Sequence, residues 1–225
     1  MNTVAPASRN FLDRHRYALL FFSLLLTVAI GPLLEAMNFG RTLMEGFLAV
    51  NLIAAVFPIV LAAERRTLYV LIALAVLLRW IGTHGAQSPA LSILAAATWG
   101  AIALVAAYRA VRFSLSSVRI DAERVYAALS AYLLIGVCWG VVYAAMTRVL
   151  PGSLLFSGAA ISSGLSVGDA IYFSFVTLAT LGYGDFVPAT PAMRGLAVFE
   201  AVIGQLYLAL LVARLVGLQT AAHSR

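Results

Sequence analysis

The sequence has no lysine: its 15 basic residues are all arginine, set against nine acids, and charged residues make up only 11% of the chain. So few charges cannot cover the surface of a water-soluble domain 225 residues long. Cysteine is nearly absent. Cys138 stands alone inside an apolar run, so it can close no internal disulfide. The three histidines, His15, His84 and His223, are scattered and lack metal-ligand spacing. No paired acids and no Cys/His pair occur at membrane depth, so the chain is not read as an enzyme and no cofactor is expected.

What the chain has is apolar sequence, 63% of it, with a mean hydropathy of +0.98. Six runs recur near spanning length: Tyr17 to Met37, Leu43 to Ala63, Leu68 to Ile81, Leu91 to Tyr108, Val125 to Met146 and Met193 to Gly217. The fold predicted is an all-α membrane protein with six transmembrane helices. A basic start before an apolar run could be a signal peptide, but no small-residue cleavage pattern follows and a second run comes at once. Gly31-Pro32 permits a kink in the first run, and Asn51 in the second is expected to bond a neighbouring helix.

Arginine sets the predicted orientation. With the N-terminus cytoplasmic and six spans, Arg9, Arg14, Arg16, Arg65, Arg66, Arg109, Arg112, Arg119, Arg124, Arg214 and Arg225 fall inside. Only Arg41, Arg79, Arg148 and Arg194 fall outside. The excess of basic charge is therefore read as cytoplasmic loop bias in a multi-pass protein of the cell (inner) membrane, not as nucleic-acid binding. Residues 1–16 and 219–225 would be cytoplasmic tails, 17–112 a four-helix domain, 113–124 a cytoplasmic linker and 125–218 a second domain.

Between the fifth and sixth runs, Asp169 to Ala179 reads as a mostly apolar helix of about 11 residues, too short to span. It leads into Thr180-Leu181-Gly182-Tyr183-Gly184-Asp185. In a soluble protein Gly-Tyr-Gly is commonly a tight turn. Here it sits between membrane runs, where non-helical backbone is tolerated only if buried or lining a water-filled path. A cation leaves water only when oxygens replace its hydration shell. Successive backbone carbonyls can face one axis if alternate residues take positive φ, which glycine does at little cost. Gly182 and Gly184 have that spacing. Leu181 and Tyr183 would then turn away from the axis and hold the loop open. Thr180 would add a hydroxyl, and Asp185 would close the loop on its outer side. One copy cannot surround an ion, so the reading requires four copies about an axis.

Thr180 to Gly184 differs at one position from the Thr-Val-Gly-Tyr-Gly selectivity filter of potassium channels. From about Val125 to Gly217 the chain resembles the pore domain of the tetrameric potassium channel family. The resemblance implies a K+ channel built as a homotetramer in a lipid bilayer, with K+ held at Thr180, Leu181, Gly182 and Tyr183. It also implies filter support from Asp185, Thr177 and an aromatic cuff at Tyr172 and Phe173. Tyr172 stands where many members carry a Trp, so its hydroxyl would have to bond Asp185. Gly204 falls where the family's lining helix often carries a gating glycine; close helix packing explains a glycine there equally well. Glu200, one turn earlier, is an acid at membrane depth and so a functional candidate. It is expected behind the filter, bonded to polar groups of the short helix.

The first four runs resemble the layout of six-helix channels without the voltage-sensor pattern. A sensor needs several arginines inside a span, because each charge moved supplies only about 2.3 kcal/mol per 100 mV. Leu91 to Tyr108 contains none, and Arg109 and Arg112 follow it at the cytoplasmic end. Weak or no voltage dependence is expected. No ligand-sensing module is expected in the few residues after Gly217. Two other transport readings stay open: a non-selective cation channel, in which the filter tyrosine is typically lost, and a potassium transporter subunit, whose filter repeats are degraded.

Overall fold

A computed structural model describes residues 15–35, 89–116 and 121–223, with the single positions 46, 50, 73, 74 and 77. The predicted second and third spans, 43–63 and 68–81, therefore lie almost wholly outside the described residues, as do Asn51, Gly82 to Ser88 and most of the N-terminal tail.

The described residues form five helices and three short strands. Helix α1 covers Arg16–Glu35, α2 Pro89–Leu115, α3 Ala122–Val149, α4 Val167–Leu178 and α5 Pro191–His223. Three segments are long and apolar enough to cross a membrane: Ile93–Leu115, Ala122–Val149 and Pro191–Thr220. Arg16–Ile30 and Val167–Leu178 are shorter apolar helices.

Two boundaries correct the sequence reading. The fourth run was expected to end at Tyr108, but α2 continues through Arg109 and Arg112 to Leu115. The fifth begins three residues early, at Ala122, where Asp121 caps α3 by accepting from the Arg124 amide at 2.9 Å. The linker proposed at 113–124 is accordingly cut back at both ends by helix. Arginine and glutamate are good helix formers, and their polarity marks the edge of the apolar run, not the end of the helix.

α2 folds back along α3 through a seam of small residues. Ala103, Ala106, Ala107 and Ala110 are buried against Ala127 and Ala131. Lipid is as apolar as any side chain, so helices in a bilayer associate through close packing, which small residues allow. α1 closes the same cluster with Leu20 and Leu24. At its start the Tyr17 amide donates to Glu123 Oε2 at 3.0 Å, and the Tyr17 ring stacks on Phe113 with centroids 4.6 Å apart. Arg124 Nη1 donates to the Phe113 carbonyl and to Ser116 Oγ, each at 2.8 Å, pinning the elbow between α2 and α3.

Glycines and serines between α3 and α4 suggest an irregular loop. It holds a hairpin instead. Strand β1, Leu154–Phe156, pairs antiparallel with β2, Ala159–Ala160, and with β3, Phe186–Pro188, in the order β2-β1-β3. Ser157 and Gly158 turn the hairpin, both at positive φ (48° and 85°), as a two-residue type I′ turn requires. The sheet fastens the chain on leaving the candidate loop: the Ser157 amide donates to the Asp185 carbonyl at 2.8 Å, and Leu155 pairs with Val187.

Candidate functional site

The site is placed by α4. Ser166 caps it, accepting from the Asp169 amide at 3.0 Å and donating from its hydroxyl to the Asp169 carboxylate at 2.9 Å. The helix then lies in a groove of α3 made by missing side chains. A Cβ at Gly140 would stand 2.6 Å from Ile171 Cγ1 and 2.8 Å from its Cα, and one at Gly136 would stand 2.6 Å from the tip of the Phe175 ring. α4 ends at Leu178, one residue before the predicted Ala179. At this end α5 crosses at Gly204.

From here the backbone leaves helical geometry in a regular way. Thr180, Gly182 and Gly184 take φ of 58°, 58° and 80°, while no positive φ falls on Leu181 or Tyr183. The amides of Thr180 and Leu181 turn back onto the helix end, donating to the carbonyls of Thr177 at 2.9 Å and Val176 at 2.8 Å; that of Gly182 donates to Val176 at 3.3 Å. Among the described residues, no backbone amide donates to the carbonyl of Thr180, Leu181, Gly182, Tyr183 or Gly184. These five residues are exposed in the single chain. Glycine spacing pointed to positive φ at residues 182 and 184. It gave no sign of Thr180, a β-branched residue for which this conformation is strained.

Leu181 and Tyr183 line one side of a cavity of about 230 Å³, whose other walls are Val28, Tyr172, Phe175 and Val176. Phe173 is buried edge-on against Tyr143, with centroids 4.8 Å apart. Tyr172 packs against Phe186, ring centroids 6.0 Å apart, with its hydroxyl near enough to the Asp185 carboxylate to feel its charge. Asp185 Oδ1 also accepts from the Phe186 amide at 2.9 Å. Thr177 is half-buried on α4 and contributes its carbonyl to the turn below Thr180.

Behind α4, Glu200 is fully buried. Tyr143 donates to its Oε2 at 2.6 Å, and Ser174 Oγ lies 2.5 Å from its Oε1. An acid at membrane depth called for polar partners, but nothing in the sequence singled out Tyr143 or Ser174 from the other hydroxyls. Among the described residues, no three His, Cys, Asp or Glu side chains gather as a metal site.

Comparison with known proteins places this region in a family. Residues 131–220 match the family model described as "Ion channel". A stretch of 76 residues is 43% identical to "Two pore potassium channel c" of Oryza sativa subsp. japonica; it covers 34% of this chain and 14% of the rice protein. No solved structure matches. The segment that holds the short helix, the loop and the crossing helix thus resembles an ion-channel domain, and it lies in a chain with three helices, among the described residues, long and apolar enough to cross a membrane.

Proposed function

We propose that the protein is a potassium-selective channel that passes K+ down its gradient as a homotetramer in the cell membrane, with both termini cytoplasmic. The observation that carries this reading is the alternation of φ at Thr180, Gly182 and Gly184, beside five carbonyls that no backbone amide of the described residues engages. Four such strands about an axis would offer K+ the carbonyls of Thr180, Leu181, Gly182 and Tyr183, with the Thr180 hydroxyl at the inner end. Asp185, Tyr172, Phe173 and Thr177 would keep the loop in shape, Glu200 would brace it from behind, and α5 would bend at Gly204 to gate it.

The surface of α5 supports assembly. Only 11% of its spanning window is buried within one chain. Val198, Val202, Leu206 and Leu210 recur every four residues and are between 50% and 70% exposed. In four copies this stripe would be shared between the central path and neighbouring subunits.

Liposomes loaded with K+ in external Na+ test the proposal. Rapid K+ efflux, blocked by barium and abolished by Gly182→Asp, is the expected result. Equal Na+ and K+ flux would make the pore non-selective. Flux that requires a proton or sodium gradient would make the protein a transporter subunit.

A further inference from the structure

Glu200 is the one fully buried acid among the described residues. Three helices converge on it: α5 carries it, α3 brings Tyr143 and α4 brings Ser174. No salt bridge reaches it among the described residues. The titratable groups that face it are phenols of α3, Tyr143 by hydrogen bond and Tyr132 by charge; α4 presents only the Ser174 hydroxyl.

The hydrogens around it can be counted. Ser174 Oγ lies 2.5 Å from Glu200 Oε1 and 2.8 Å from the carbonyl oxygen of Gly136 on α3. A hydroxyl carries one proton, so it can donate to one of these oxygens and not to both. Were Glu200 ionised, one of the two contacts would set oxygen against oxygen with no hydrogen between. A proton on Oε1 resolves this. Glu200 then donates to Ser174, Ser174 donates to Gly136, and Tyr143 donates to Oε2. Every close contact holds one hydrogen, and no uncompensated charge is left at membrane depth.

We infer that Glu200 is a neutral carboxylic acid at neutral pH and that, in this form, it is a positioning residue tying the pore helix α4 to both α3 and α5. Its consequence for conduction rests on the channel reading above; the protonation state does not. Removing the proton takes Ser174 away from Gly136, loosens α4 on α3 and sets a charge behind the filter. Glutamine keeps the same pattern, its amide N–H donating to Ser174 and its carbonyl accepting from Tyr143.

Infrared spectra of the full chain in liposomes, wild type against Glu200→Gln, test the assignment at neutral pH. The expected result is a carboxylic-acid carbonyl band in the wild type that Glu200→Gln lacks. Its absence from the wild type overturns the inference whatever the flux. K+ efflux measured at rising pH tests the positioning role. Wild type is expected to lose flux at alkaline pH while Glu200→Gln keeps it, and equal loss in both overturns that role. A band with no K+ flux in either protein upholds the protonation state and sinks the channel reading instead.

Discussion

Gly204 of α5 lies directly against the end of α4: a Cβ built on it would stand 2.5 Å from the Leu178 carbonyl oxygen and 2.8 Å from Leu178 Cδ1. The nearer atom is backbone, two residues before Thr180, and cannot swing aside. Gly204→Ala should therefore cost about 1–3 kcal/mol as overpacking. The measurement is the unfolding temperature of the protein in mild detergent, expected to drop. An unchanged temperature with altered opening would assign the glycine to bending alone.

The two glycines under α4 should differ. At Gly140 an added methyl meets the Ile171 backbone, its Cα at 2.8 Å and its amide nitrogen at 3.0 Å. At Gly136 it meets only the Phe175 ring, 2.6–3.1 Å away, and a ring can tilt. Gly140→Ala should lose most folded protein, whereas Gly136→Ala should lose much less. Equal yields of the two from size-exclusion chromatography would contradict this packing.

Thr180 carries strain that its side chain must repay in function. A non-glycine residue in the left-handed region costs on the order of 1–2 kcal/mol, and Thr180 sits there with φ 58°. Thr180→Gly should relieve that cost and also remove the hydroxyl. The expectation is unchanged or higher thermal stability together with a lower K+/Na+ flux ratio. A variant as selective as wild type would show that the hydroxyl does not touch the ion.

Voltage should have little effect. The helical extension of α2 brings Arg109 and Arg112 into one continuous helix, but in its last two turns; Arg109 acts electrostatically on Tyr17, at the start of α1. Both fall in the last seven residues of the candidate span Ile93–Leu115, away from its middle, where a sensing charge would have to lie. Single-channel recordings in planar bilayers are expected to show a nearly flat open probability, unchanged by neutralising both arginines. A steep curve that flattens on neutralisation would restore a sensor role.

The parts legible in the sequence were those where residue type and backbone demand each other. Glycines two apart announced the φ alternation, and a short apolar helix between spanning runs announced α4. Span ends were less legible: α2 outruns its apolar stretch because arginines continue a helix as readily as leucines. The hairpin at β1 and β2 escaped because strands of two and three residues show no alternation, although Ser157-Gly158 was a turn signal in plain view. Thr180's conformation and the pairing of Glu200 with Tyr143 and Ser174 could not be read at all. Both are settled by what α3, α4 and α5 press against one another, and one sequence does not carry that.

Only six residues, 116–121, separate the end of α2 from the start of α3, about 20 Å if fully stretched, and Arg124 draws Ser116 to within 2.8 Å of its guanidinium. There is no lever arm at this joint. In the homotetramer proposed above, α2 would stay beside the α3 of its own chain. There α2 would form a fixed shoulder, coupled to the rest of its chain sideways through the alanine seam.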